Sequence, residues 1–444
     1  ARLPGELASL VFDDLDLDHI VHASHVSRKW RVRAQTHPTF YSDITVHSRH
    51  YTGPPEAVCA FFQARVSAAG TKTIAQLSIR VTGPCAAVQR VFLPAVAQCL
   101  PRIVRLVLIF KDCYASQVYD ALSGPAPRLR SLVLHLLNIY DGDPVAQDDM
   151  TCPEDIFSRH APQLRELSLL GTMWPQVPVP AFSCVASIRT EYDDATIPNP
   201  EVLFISCPAF DDLVFNSDSV DDIPQDLWDV CHNRRLRRLV IDGPSQTSAV
   251  LNVTTADTEH VNFYGTWADA ATFNHVFQHM AAEVQMQLLS DRDVLRVVLK
   301  DDFRTRQVDY LVVEIEEWLT PSIFSPMLSR ITTLSVDTES LFDLPRIALR
   351  FPSVVTLVIA WSCPEESGSL FQPLSFPALR RLEVEGSPEW GETSEVRVLD
   401  LAQFMGHVLG CLPRKALALV FRNGAHLEGD PQGVRGYFKE IIIL

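Results

Sequence analysis

The chain has 444 residues, 47% of them hydrophobic and 21% charged, and a formal net charge of -16 at pH 7. That length exceeds the ~250–300 residues at which a single core stops growing, which leaves several domains or one elongated repeat array. The composition excludes a disordered chain, the acidity argues against nucleic acid, which asks for clustered Lys and Arg, and no run approaches the ~20 apolar residues of a membrane helix.

Residues 1–46 hold six acids and five bases, so they are nearly neutral, and the acidity lies in the remainder. This head reads as three short helices. Pro4 suits a first helical turn, and Leu7, Leu10 and Val11 follow at helical spacing. Asp16 and Asp18 are candidate caps for a second helix carrying Ile20, Val21 and Ala23. Val26, Trp30 and Ala34 lie four apart on one face of a third, which ends by Pro38. Three helices of this size cannot bury a sufficient core alone, so their apolar stripes are expected to pack on the body or on another protein.

The order of residues in the head resembles the F-box family. Leu3-Pro4-Gly5-Glu6-Leu7 is similar to its opening motif, Val11-Phe12 and Leu15-Asp16 to its apolar pair and Leu-Asp step, and Val26-Ser27-Arg28-Lys29-Trp30 to its Val-Ser-Arg-x-Trp element. Pro38-Thr39-Phe40-Tyr41 stands where the family has Pro-x-Leu-Trp, with Tyr41 in place of the Trp. The resemblance implies binding to a Skp-family adaptor that bridges to a cullin scaffold and a RING ubiquitin ligase. It assigns that contact to Leu3, Pro4, Leu7, Leu15, Ile20, Val26 and Trp30.

From residue 47 to 444 a pattern recurs: apolar, two variable residues, apolar, one variable, apolar, often with a proline two residues earlier. It begins at positions 74, 103, 129, 164, 185, 210, 236, 258, 281, 308, 331, 354, 379 and 414. Most steps fall in the range of about 20–29 residues of leucine-rich repeats. Helical spacing marks 88–99, 154–160, 225–231, 268–280, 340–349 and 399–412 between them. The fold expected is therefore α/β: an F-box-like three-helix module over 1–46, then an irregular leucine-rich-repeat-like solenoid of about 12–14 repeats with a parallel concave sheet. The pairing of the two resembles fungal F-box proteins with leucine-rich repeats. The family's asparagine ladder is absent, and Gly171, Gly243, Gly265 and Gly386 hold a turn position after the strand instead.

In such strands the residues flanking the last apolar one face away from the core. The candidate substrate surface is Val107, Val133, His135, Val214, Val240, Asp242, Tyr264, Asp337, Glu383 and Glu385. Recurring valine reads as β propensity or as an apolar floor for a peptide. Asp337, Glu383 and Glu385 point to a positive charge on whatever docks at the C-terminal end.

Catalytic chemistry is not evident. His19, His22 and His25 lack a fourth metal ligand, and the acidic stretch 141–149 lacks calcium-loop spacing. GxSxG, a phosphate-binding glycine loop and HExxH are all missing. Ten scattered cysteines without a CxxC pair fit reduced thiols in a cytoplasmic and/or nuclear protein. The reading is a non-catalytic substrate receptor of an SCF-type ubiquitin ligase, holding an unidentified protein, with no cofactor, metal, nucleic acid or membrane involved. The alternatives are an F-box protein acting as scaffold or inhibitor outside a ligase, and an enzyme or enzyme activator on a repeat frame.

Overall fold

A computed structural model of the chain describes residues 10–47, 55–82, 86–111, 115–137, 151–192, 200–217, 236–242, 257–264, 277, 279–291, 294–311, 327–337, 350–361, 374–386, 395–407, 409, 417–423 and 425–443. The chain divides into two units, Ala1–Asn216 and Ser217–Leu444. Both are α/β, with a mostly parallel sheet.

In the first unit, helical residues 10–13 precede the helices Leu17–Val26, Arg28–Thr36 and Pro38–Tyr41. Of the two aspartates expected as caps, Asp16 closes the helix: its Oδ1 accepts the His19 N–H at 2.9 Å. Ser27 does the same for the next helix by accepting from Trp30 N at 3.3 Å. Phe12, Ile20, Ala34 and Phe40 are buried together, with Leu15, Leu17, Val21, Ala23 and Trp30 packed around them. This core is too small to stand alone. Phe61 and Ala68 of the helix Pro55–Ala69 complete it. Arg65 of that helix is 1% exposed and donates from Nε to Phe40 O at 2.8 Å and from Nη2 to Asp43 O. The guanidinium therefore ties the head to the body through two carbonyls that would otherwise lack that donor.

Seven strands follow: β1 (Asp43–His47), β2 (Ile74–Val81), β3 (Ile103–Lys111), β4 (Ser131–Leu137), β5 (Glu166–Leu170), β6 (Ser187–Tyr192) and β7 (Asp212–Ser217). β1 through β6 pair in parallel, each with the next. Side chains alternate, so Leu77, Ile79, Leu106, Leu108, Leu132, Leu134, Leu167 and Leu169 are buried on one face. β1 was not expected from the repeat pattern. It extends the sheet backward and makes the end of the head continuous with it.

The helix expected over 88–99 is a π turn, Val88–Phe92, running into an α-helix, Leu93–Cys99; Pro94, which has no N–H to give, sits where they meet. The helix expected over 154–160 is instead a short turn in which Phe157, Ser158 and Arg159 have φ of 56°, 49° and 61°. Tertiary contacts override helical spacing here. Phe157 is fully buried, its N–H bonds Leu122 O at 2.9 Å, and Ala126 N bonds His160 O at 3.0 Å.

The second unit holds β8 (Arg238–Asp242), β9 (His260–Tyr264), β10 (Val284–Asp291), β11 (Val294–Lys300), β12 (Thr305–Leu311), β13 (Ile331–Asp337), β14 (Thr356–Trp361), β15 (Arg381–Gly386), β16 (Glu395–Arg397), β17 (Ala418–Arg422), β18 (His426–Glu428) and β19 (Glu440–Ile443). β16 and β18 form a separate pair. Among the described strands the expected succession of parallel pairs is broken at β11. β11 runs antiparallel between β10 and β12, while β12 joins β9 and β10 joins β13 in parallel. A parallel crossover needs roughly a dozen residues, and the turn from β11 to β12 is too short for one. Asp301 builds that turn: its Oδ1 accepts from Phe303 N at 2.9 Å and Arg304 N at 2.7 Å. Beyond it β13, β14, β15, β17 and β19 pair in parallel. The helix expected over 399–412 is present as Val398–His407. Those expected over 225–231 and 340–349, most of 268–280, the acidic stretch 141–149, Gly243 and Gly265 lie outside the described residues.

Candidate functional site

Two surfaces collect the residues singled out from sequence: the head, and the face of each sheet opposite its buried side, here the open face.

On the head, Leu3, Pro4 and Leu7 lie outside the described residues. Leu15 and Trp30 are partly buried, and the Trp30 ring meets Phe12 edge-on at 5.4 Å. Ile20 is 0% exposed. It builds the head's core, because its position turns inward with Ser24 one helical turn later, so its side chain offers nothing to a partner. Val26 is 71% exposed. Leu10 (60%), Val11 (44%) and Val32 (58%) join it. Val32 was missed. Trp30 and Ala34 point inward, so Val32 between Arg31 and Arg33 falls on the opposite, polar face, and an apolar side chain there was the available signal.

On the open face of β1–β6 the register sets up rows. Thr45, Ser78, Val107, Val133, Ser168 and Arg189 form one; His47, Arg80, Ile109, His135 and Leu170 form the next. Val107, expected to be accessible, is buried between its row neighbours Ser78 and Val133, whereas Val133 and His135 are half-buried. His135 Nε2 lies 3.1 Å from Ser168 Oγ. Burial, with the positive charges of Arg189 and Arg80 adding to it, pushes the His135 imidazole down to about 4. An NMR titration of its ring is expected to show no inflection between pH 8 and about 5. The folded chain holds this proton less tightly than the unfolded one. The stability contributed by the neutral ring is thus complete above about pH 6.5 and is lost as pH falls toward 4. His135→Gln should flatten urea-denaturation midpoints across that window, and an unchanged pH profile would contradict the assignment.

In the second unit Val214's counterpart Val240 is buried, Tyr264 is half-buried and accepts from Asn262 Nδ2 at 3.2 Å, and Asp242 ends β8. Val214 itself, on β7, is half-buried. Asp337, Ala360 and Glu385 share one row, and Ser335, Val358 and Glu383 the next. These rows line part of a cavity of about 460 Å³ that also takes in Gln287, Arg381 and Arg422. Glu383 does not present the free negative charge expected of it. It is 5% exposed because two guanidinium groups cover it: Arg422 Nη1 at 2.9 Å, and Arg381 Nε at 2.5 Å as an ion pair without hydrogen-bond alignment. Its charge is spent within the sheet, and a positive group on a ligand would meet two cations first. Arg296 likewise pairs with Asp309, donating from Nε to Oδ1 at 3.1 Å and from Nη2 to Oδ2 at 2.9 Å.

Among the described residues no group of three His, Cys, Asp or Glu side chains could hold a metal ion, and no helix is long and apolar enough to cross a membrane. Compared with protein-family models and with curated protein sequences, the chain matches none.

Proposed function

We propose that this chain is a non-catalytic receptor. Its head docks on a Skp-family adaptor, which joins it to a cullin scaffold, and the open faces of its strands hold a target protein. The repeat-like strand spacing and the F-box-like head are read together as an F-box protein with a leucine-rich-repeat-like solenoid. The mechanism is proximity: a held target presents its lysines to a charged conjugating enzyme, and the chain itself breaks no bond.

One observation carries this reading. Of the twelve large apolar side chains that the described residues expose, four (Leu10, Val11, Val26 and Val32) lie in the head. Their neighbours Phe12, Ile20, Ala34 and Phe40 are fully used in holding the head together. A short helical module that keeps its core covered and still exposes this much apolar surface fits a docking element.

The test is co-purification with a Skp-family adaptor and a cullin. Leu10→Asp with Val26→Asp is expected to weaken adaptor binding roughly 30-fold or more, with the melting temperature nearly unchanged, since both positions are exposed. Ile20→Asp is the contrast, expected to unfold the head by placing a charge in its core. Wild-type chain that captures no adaptor, or a double variant that captures it normally, would overturn the proposal. Adaptor without cullin would favour the scaffold or inhibitor role.

A further inference from the structure

On the open face of the second unit, the cavity of about 460 Å³ lies across β10, β13 and β14, with β11 at one end and β15 and β17 at the other. Its floor follows the register. Gln285, Thr333 and Thr356 stand in one row, and Gln287 and Ser335 in the next. Gln285 is exposed and the other four are half-buried. Among the described residues none of these five side chains has a hydrogen-bond partner. Half-buried polar groups are mostly engaged within a fold, and here five amides and hydroxyls instead face one open cavity. Val358, half-buried, is the apolar side chain beside them.

Charge around this cavity is balanced. The carboxylates that line it are Glu383 and Glu385, and the cations are Lys300, Arg381 and Arg422. Glu383 sits between the two guanidinium groups and Glu385 lies opposite Arg422 in register, so that end is neutral. Lys300 is exposed at the other end, which it shares with the exposed carboxylates of Glu283, just before β10, and Asp302, just after β11. A strongly charged ligand of either sign therefore gains little. Among the described residues no aromatic ring lines the cavity, so stacked bases have no platform. An extended polypeptide fits. Its backbone carries one N–H donor and one C=O acceptor per residue, and Gln amides and Ser or Thr hydroxyls each both donate and accept. The five strand spacings from β11 to β17 span about 24 Å, the length of about seven extended residues.

We propose that this cavity holds an extended, charge-poor segment of a partner protein, read mainly through its backbone N–H and C=O groups by Gln285, Gln287, Thr333, Ser335 and Thr356. This rests on the reading of the open faces as target-binding surfaces and adds the chemistry of the target. It replaces the positive charge expected from Asp337, Glu383 and Glu385. Asp337 does not line the cavity, and the two glutamates are matched by arginines.

The experiment offers the full chain a positional-scanning library of fluorescein-labelled nonapeptides, then measures the selected nonapeptide by fluorescence anisotropy. Glycine and uncharged polar residues are expected at the central positions, with Asp, Glu, Lys, Arg and aromatic residues disfavoured. Affinity should change less than about twofold between roughly 50 and 500 mM salt. N-methylation of alternate backbone nitrogens in the peptide should weaken binding roughly tenfold or more, as should Gln285→Ala with Gln287→Ala in the chain. Gln403→Ala, at an exposed position on the helix Val398–His407, should leave it unchanged. If the glutamine pair disturbs folding by circular dichroism, Thr333→Val with Thr356→Val serves in its place. No selection, selection of charged or aromatic residues at the centre, full binding of the N-methylated peptide, undiminished binding by the cavity variants, equal loss in Gln403→Ala, or tighter binding of maltohexaose than of the peptide would each overturn the inference. Adaptor capture by the head is measured separately, so failure here and failure of the receptor role give different results.

Discussion

Glu383→Lys is expected to destabilise the second unit by about 3–5 kcal/mol. The wild-type carboxylate sits between Arg381 and Arg422, and the substitution places a third cation where a buried anion had neutralised two. Both arginines are 39% exposed and can turn partly to water, which favours the lower end of the range. At about 3 kcal/mol the melting temperature of a unit this size would fall by about 6–12 °C. Glu385→Lys should behave differently. Glu385 is half-buried, opposite Arg422 and Ala360, and its reversal is expected to cost about 1 kcal/mol or less. Urea denaturation of the two single variants separates the cases, and equal midpoints would show that the Arg–Glu–Arg cluster does not hold the sheet together. Target capture is therefore better tested on Glu385 alone, since a variant that includes Glu383 confounds docking with stability.

Gly171→Ala should cost about 3 kcal/mol or more. Gly171 follows β5 with φ +60°, and a Cβ there would overlap the backbone oxygen of Leu136 on β4. Two costs add: the left-handed conformation, about 1–2 kcal/mol for a residue with a side chain, and a clash with backbone that cannot move without shifting a paired strand. Gly171→Asn separates them, because asparagine tolerates the φ but carries the same Cβ. It should remain nearly as destabilised. Gly70 supplies the comparison, with φ +53° and its nearest atom at 4.0 Å, so Gly70→Ala should cost only the conformational part. A Gly171→Ala protein that melts within about 2 °C of wild type would show that the strand end relaxes freely.

Much of the architecture was legible because it is local. Apolar residues at period two mark β3 at Ile103 and β13 at Ile331, where the strands begin, and β5 and β14 start two residues after their patterns. Asp16 could be read as a cap because capping involves residues three apart. The left-handed turn at Phe157 could not be read, since its cause is a bond to Leu122 and burial against distant elements. Nor could the reversal of β11: apolar periodicity is the same whichever way a strand runs.

The candidate sites divide along the same line. Sequence alone determined which side chains alternate to the open face, and that the head is apolar beyond what its own core can absorb. Tertiary structure decided which of those residues are free. Ile20 is enclosed and Val26 exposed, although both are apolar and helical. Glu383 is neutralised by Arg422, 39 positions away in sequence, because register brings β15 and β17 side by side. Arg80 and Arg189 are brought onto one face by the parallel register in the same way. Side-chain direction follows from each strand's own geometry, whereas the fate of a charge depends on which strand lies next to it.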